Sequence, residues 1–483
     1  MTAVALAALD VTVVATAMPT IVSELSGVSL YSWLISIYLL ASTTSTPLFG
    51  QLADNWGRKP ILIFGIALFT GASMLCAQAT TMTQLIFFRG IQGLGAGAIM
   101  PMTMTIIGDL FSVEERAKYQ GLFSAVWGVS SIVGPALGAV ILKFWHWHGI
   151  FYINLPVGLV ALAMIMKVYH EHNVSKHRSV DVWGAILMTV GVASMLLALE
   201  RHSPLSEGQY WPYIVVAVCF GLLIPVERKV KRPFIPMDLL KKRLIGVAYL
   251  SSIFGGMIQF GASAFMPLFV QGAMGGTPTS VGLTMAPVAI GWPLGSIFSG
   301  KLILKLGYKR VLAIGSGIGV ISVAMMQVLT DTTPLPVVMV IVAFIGLSLG
   351  LTATPLIIAV QNAVEWGQRG TATSLNMFSR SIGGIIGVAV MGTALNAKLG
   401  EYLHGSSLTS GVNATDLVND MLNPLKRGNY PGELLHLVQH DLASALHTTY
   451  LLPLIAAVIA LGLIVFWFPG GKVEIHKVKK DSQ

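Results

Sequence analysis

The segment GQLADNWGRKP at residues 50–60 returns as GKLILKLGYKR at 300–310. Gly50 matches Gly300, Leu52 matches Leu302, Gly57 matches Gly307 and Lys59 matches Lys309. Both copies follow a long apolar stretch, and the shared glycines permit a tight turn at the same place in each. A parallel repeat of this kind reads as two related halves. That is the plan of transporters whose binding site lies at the half interface near mid-membrane.

The composition agrees. Of 483 residues, 54% are hydrophobic and 11% charged, whereas a soluble domain carries about 25% charged residues. A spanning helix needs about 20 mostly apolar residues. Fourteen stretches fit, at 3–22, 31–52, 60–79, 84–107, 118–142, 149–167, 182–200, 211–226, 246–271, 280–300, 311–329, 335–359, 371–396 and 448–468. The repeat aligns the second with the tenth, so spans 1–6 and 9–14 form the halves and spans 7 and 8 are inserted. The expected fold is an all-α integral membrane protein. It has a six-helix half at 1–168, two inserted helices at 181–227, a basic cytoplasmic linker at 228–245, a second half at 246–470 and a cytoplasmic tail at 471–483. The first stretch lacks an A-x-A-like cleavage site and reads as a span rather than a removed signal.

With both termini on the cytoplasmic side of the cell (inner) membrane, inner segments hold 23 of the 30 Lys and Arg residues, in line with the positive-inside rule. The net charge of +9 is therefore a matter of topology and lipid surface. Its spread over many short loops argues against a nucleic-acid partner. Cys76 and Cys219 sit in apolar runs and read as small hydrophobes. An outer loop at 397–447 is polar, and the spacing from Leu434 to Leu446 predicts an amphipathic helix. It either caps the outer mouth or lies on the membrane surface as a connector.

A carboxylate interrupts the first span: Asp10, in ALAALDVTVVATAMPTIV at 5–22. At bilayer depth it costs about 3 kcal/mol or more, and such acids mark ion or proton routes. Span 4 carries RGIQGLGAGAIMP at 89–101, in which Arg89, Gln92, Ala96 and Met100 share one helix face. A buried guanidinium needs a counter-charge or carbonyls, and Asp10 is the only acid deep in any span. Burial disfavours a charged carboxyl and a neighbouring guanidinium favours it. An acid held between the two influences can exchange a proton as its water access changes. The alternative is a static pair that fixes helix 1 against helix 4.

In span 5, Gly121, Ser124, Gly128, Ser131, Pro135 and Gly138 follow steps of three and four, a small-residue stripe that lets another helix approach. Arg380, in span 13, lies beside Ala372, Asn376, Ser379, Gly383 and Gly387 with no evident acidic partner in neighbouring spans. His146 and His148, in WHWHGIFYINLPVG at 145–158, are too sparse for a metal site, and the segment reads as an interfacial aromatic belt. No metal cluster, nucleophile–base pair or Walker loop is visible, so neither an enzyme nor an ATP-driven pump is expected.

These motifs resemble the major facilitator superfamily, and within it the fourteen-spanner drug:proton antiporter branch, over nearly the whole chain. The family signature G-x-L-a-D-r-x-G-r-k is met by Gly50, Leu52, Asp54, Gly57, Arg58 and Lys59, with Asn55 at a position that is commonly basic. The resemblance implies that Asp54 and Arg58, with Asp109 and Arg116, latch an inner gate. It implies that Arg89 helps to set the protonation of Asp10. The exporter motif g-x(5)-G-P-x-x-G-G is met by Gly128, Gly134, Pro135 and Gly138, with Ala139 replacing the last glycine and Gly121 on the same stripe. The W-R-W-x-F-x-I-N-x-P-x-G motif fits at Asn154–Pro156, with His148 near its usual arginine. Gln259 stands where some relatives that export dicationic compounds carry an acid.

The expected function is proton-coupled antiport that exports lipophilic, cationic or neutral small molecules by alternating access, as in multidrug efflux and antibiotic resistance. The proton gradient replaces any cofactor, protons, substrates and membrane lipids are the partners, and the chain is expected to be a monomer. Cavity candidates are Trp33, Tyr38, Gln92, Met100, Met257, Gln259, Phe260, Asn376, Phe378 and Arg380. Rival readings are a transporter of one metabolite, antibiotic or siderophore, and a membrane sensor without flux.

Overall fold

A computed structural model describes residues 1–25, 30–171, 181–199, 210–230, 237–404 and 431–470. Among these residues there is no strand. A helix covers each of the fourteen predicted stretches: α1 (Thr2–Glu24), α2 (Tyr31–Trp56), α3 (Arg58–Cys76), α4 (Met82–Leu110), α5 (Val113–Phe144), α6 (Asn154–Val168), α7 (Val182–Leu199), α8 (Trp211–Lys229), α9 (Arg243–Leu268), α10 (Pro278–Leu306), α11 (Tyr308–Met325), α12 (Leu335–Asn362), α13 (Arg369–His404) and α14 (Gly432–Gly462). Ten of them, α3–α6 and α9–α14, are long and apolar enough to cross a membrane, against the fourteen expected. The apolar parts of α1, α7 and α8 are shorter. Helix α2 is diluted by the hydroxyl run Ser42–Thr46, in which Thr44, Ser45 and Thr46 donate back to the carbonyls of Leu40, Ala41 and Ser42.

The repeat has a direct structural signature. Gly57 alone separates α2 from α3, and Gly307 alone separates α10 from α11. Their φ values of 97° and 79° lie where a side chain is strained.

Contacts divide the chain into two compact units. Of the described residues, the first holds Met1–Gly246 and Ile357–Phe378, and the second holds Val247–Leu356 and the chain from Ser379 onward. The inserted α7 and α8 pack against each other and fall in the first unit. The end of α12 and the start of α13 join it as well, through the polar contacts described below.

In the first unit the glycine run of α4 explains the packing. Gly93 and Gly97 face α2, where an added side chain would meet the carbonyls of Tyr38 and Ser42. Gly95, on another face, abuts the backbone of α3 at Phe69 and Gly65. Small residues thus let three helices approach backbone to backbone, and α4 is held in a fixed rotation. In the second unit an apolar core forms around Phe269, Met326, Ile341 and Tyr450.

Two expectations are corrected in part. Residues 432–447 do not lie as a separate surface connector. They are the first turns of an unbroken α14, with Val438, Leu442 and Leu446 in the core of the second unit. Residues 397–404 of that loop are the end of α13; 405–430 lie outside the described residues, as does the tail from 471. Trp145 is exposed, but the aromatic-belt reading fails for Trp147. Trp147 is buried, stacks on His148 and donates its indole N–H to Glu24 at 3.0 Å.

The close approach at Gly95 predicts that Gly95→Leu destabilises the protein by about 1–3 kcal/mol, because backbone neighbours cannot yield. Gly71 has nothing within 4 Å of where a Cβ would sit, so Gly71→Leu should leave the thermal midpoint unchanged. Thermal unfolding of the detergent-purified variants checks both.

Candidate functional site

Asp10 is 1% exposed and carries a full set of donors. Arg89 Nη1 donates to Oδ2 at 2.5 Å, and Gln92 Nε2 donates to Oδ1 at 2.8 Å. Asn154 Nδ2 donates to the same Oδ1 at 2.7 Å. Gln92 also accepts from Arg89 through Oε1 at 2.8 Å. Asn154 is steadied by Ser73 Oγ at 2.9 Å, which itself donates to the Phe151 carbonyl. The Arg89 guanidinium lies 4.4 Å from the centroid of the Tyr38 ring. Six helical segments therefore meet at one carboxylate: α1, α2, α3, α4, α6 and the short turn Gly149–Tyr152 before α6. The i, i+3 spacing of Arg89 and Gln92 places both on one face of α4, and the glycines of α4 fix where that face points.

The chemistry follows from the donor inventory. A carboxylate only accepts hydrogen bonds, whereas a protonated carboxyl must also donate. The three donors to Asp10 take three of its roughly four acceptor sites. Arg89 is engaged by Gln92 Oε1 and the Tyr38 ring as well.

The exporter-motif stripe backs this cluster. An added side chain at Gly134 would strike Thr12, and one at Gly138 would meet Thr16 and the Val13 carbonyl. Thr12 Oγ1 donates to the Ser130 carbonyl at 2.9 Å. The stripe of α5 is thus the bed of α1, the helix that bears Asp10. Gly121 and Gly128 are buried on the same helix, which runs unbroken through Pro135.

A second polar cluster surrounds the first signature. Asp54 accepts from the backbone N–H groups of Gly370 and Thr371 at 2.9 and 2.7 Å, and from Thr371 Oγ1 at 2.8 Å. Orphan amides at a helix N-terminus favour an anion, and here the helix is α13. Arg58 is fully buried and pairs with Asp54 and Asp109, each at 3.1 Å. Its guanidinium also lies 3.6 Å from the centroid of the Trp366 ring. Asp109 takes a second cation, Arg369, at 3.0 Å. Arg116 donates to Asn362 Oδ1 at 2.7 Å and to the Phe111 carbonyl at 2.8 Å, and its charge also acts on Asp109. Gly50 is required here, since a side chain would meet the Gly370 carbonyl and Ser374.

Glu171 repeats the device at α3. Its carboxylate accepts the N–H groups of Arg58 and Lys59 at 2.7 and 3.1 Å. Lys59 Nζ reaches the Met166 carbonyl at 3.0 Å. Burial, together with the nearby carboxylates of Glu171 and Asp109, pushes the Tyr169 phenol well above its usual range, so it stays neutral.

The cavity candidates separate. Tyr38 and Gln92 belong to the Asp10 cluster. Met100 packs against the apolar core of the first unit, and Asn376 and Phe378 are buried there too. Trp33 is half-buried on α2. Met257, Gln259, Phe260 and Arg380 belong to the second unit, where Phe260 packs on Gly384. Sequence reasoning missed Asn154 as a ligand of Asp10, and Glu171, Trp366, Arg369 and Thr371 around Asp54 and Asp109. Among the described residues no group of His, Cys, Asp and Glu is placed to hold a metal ion.

Hydrogen bonds to a charged acceptor contribute about 1.5–3 kcal/mol each. Asp54→Asn weakens three of them at once. The Gly370 and Thr371 amides should then exchange with deuterium at least about tenfold faster, as hydrogen-exchange mass spectrometry would read.

The chain matches the family model described as Major Facilitator Superfamily over residues 1–388. It is 38% identical over 400 residues to "Multidrug transporter protein MdtP" of Bacillus subtilis (strain 168), covering 82% of this chain and 74% of that one. It is 34% identical over 473 residues to "Multidrug resistance protein 3" of the same organism, covering 95% and 92%. Among solved structures it resembles the human organic anion transporter MFSD10, with a TM-score of 0.61 at 14% identity, covering 94% of this chain and 97% of that one. It also resembles the proton:xylose symporter XylE, with a TM-score of 0.61 at 12% identity, covering 97% and 94%. At those identities the likeness speaks for the fold alone. A multi-pass helical fold, a duplicated helix–glycine–helix unit and a family match over most of its length make this chain a member of the Major Facilitator Superfamily, a transporter and not an enzyme.

Proposed function

We propose that the protein is a proton-coupled antiporter that exports lipophilic small molecules across the cell membrane by alternating access. On this reading it has fourteen spans, both termini are cytoplasmic, and it works as a monomer. The printed names of its relatives in Bacillus subtilis, a multidrug transporter and a multidrug resistance protein, support drug efflux. The observation that carries proton coupling is Asp10, a membrane-depth carboxylate held by Arg89, Gln92 and Asn154.

Asp10 takes a proton from the outer side as substrate leaves. The neutral acid frees Arg89, which falls back on Gln92 and Tyr38. Release of the proton inward restores the ion pair as the next substrate binds. One charge crossing the membrane field is worth about 2.3 kcal/mol per 100 mV, which is sufficient to concentrate a substrate outside. The Asp54–Arg58–Asp109–Arg369 cluster ties α2 and α4 to the start of α13. In this scheme it is the latch that must open when the protein faces the cytoplasm.

The test uses proteoliposomes with an imposed pH gradient and Hoechst 33342, with protein-free liposomes as baseline. Gradient-driven dye movement should occur with the wild type and fall to baseline in Asp10→Asn. Movement that survives in the variant would remove Asp10 from coupling. No movement with folded wild-type protein would favour a narrow substrate.

A further inference from the structure

The second unit holds a membrane-depth cation, Arg380, that no described residue neutralises. Arg380 is the twelfth residue of α13, about 16 Å along the helix at 1.5 Å per residue. Among the described residues it has no ion-pair partner, and its Nη1 is buried with no hydrogen-bond acceptor. The first unit solves the same problem differently, since Arg89 is matched by Asp10. An ionisable residue at such a depth is retained for function by default.

The Arg380 guanidinium lies 5.5 Å from the centroid of the Trp292 ring. Trp292 also lines, with Gln259, Ser263, Met266 and Met285, a cavity of about 20 Å³, room for one water-sized group; Arg380 is outside that lining, and Trp292 is its link to it. Gln259 Oε1, in the same cavity, is also buried without a donor. The backbone there is fixed. Gly256 of α9 abuts the Arg380 carbonyl and Gly383 of α13 abuts the Ile253 carbonyl, leaving no room for a Cβ. Only the side chain of Arg380 is free to meet a partner.

We propose that Arg380, next to the Trp292 ring, is an anion-recognition point, and that the preferred substrates are lipophilic molecules bearing a carboxylate or acidic phenol. This rests on the efflux reading and extends it. A guanidinium offers a planar fork that matches a carboxylate, and Gln259 Oε1 accepts from the hydroxyl of a protonated acid or phenol. The aromatic and Met walls suit an apolar neighbour. A cationic group gains nothing from the Arg380 guanidinium itself, so this point adds acidic substrates to the cationic or neutral ones expected from the sequence.

The experiment compares 4-phenylbutyrate with its neutral isostere 4-phenylbutyramide, by isothermal titration of the purified protein in nanodiscs of phosphatidylcholine. A charge-assisted pair predicts that wild type binds the acid at least about tenfold tighter than the amide. Arg380→Gln should erase that preference, and Arg380→Lys, which keeps the cation, should retain part of it. A wild type with no preference, or a preference that survives in Arg380→Gln, overturns the proposal. Loss of the wild-type preference in nanodiscs containing phosphatidylglycerol would assign the site to lipid phosphate and overturn the substrate assignment. Binding is read without flux. A failure of Hoechst 33342 transport would therefore count against efflux while the acid–amide comparison still decides the site.

Discussion

The buried pair of Asp10 and Arg89 is the constraint around which the first unit is arranged. Taking two charges out of water costs several kcal/mol per ion, and only close geometry with further hydrogen bonds restores it. That demand explains features that otherwise look unrelated. The glycines of α4 let it wedge between α2 and α3, which aims Arg89 and Gln92 at one point. The small stripe of α5 lets α1 settle close enough to present Asp10. Asn154, at the start of α6, supplies the last donor, and Ser73 holds Asn154 in place. Loss of any of these leaves a charge in a dry interior with part of its shell missing.

A second principle recurs in the first unit: a carboxylate placed on the exposed amides of a helix N-terminus. Asp54 does this for α13 and Glu171 does it for α3. Each contact joins segments far apart in sequence, and each depends on charge and direction rather than on apolar area. Contacts of this kind can be made and broken within one working cycle, because separating them exposes groups that water can satisfy. The apolar cores by contrast resist repacking. A transporter that must change shape needs both kinds of joint.

The parts of this structure that were legible in the sequence are those where chemistry allows one solution. A guanidinium and a carboxylate at bilayer depth require each other, so Arg89 and Asp10 could be paired across 79 residues. Gly57 and Gly307 could be matched because a one-residue link between helices at positive φ leaves few alternatives. Asn154 was not legible as a ligand, because a neutral amide satisfies many surroundings. Arg369 looked like one more inner-loop cation, and only the fold brings it to Asp109 while Arg116 turns to Asn362. The course of residues 432–447 was ambiguous for a related reason. The apolar spacing of an amphipathic helix is the same whether the helix stops or runs on into a span.

The central claim is that Asp10 exchanges its proton for substrate. The most direct measurement is the proton released when purified protein binds Hoechst 33342 in weakly buffered solution, followed with a pH-indicator dye. The account predicts acidification on binding to wild type and none with Asp10→Asn, while the variant still binds the dye. Acidification of equal size from Asp10→Asn would contradict it and place the exchanging proton elsewhere.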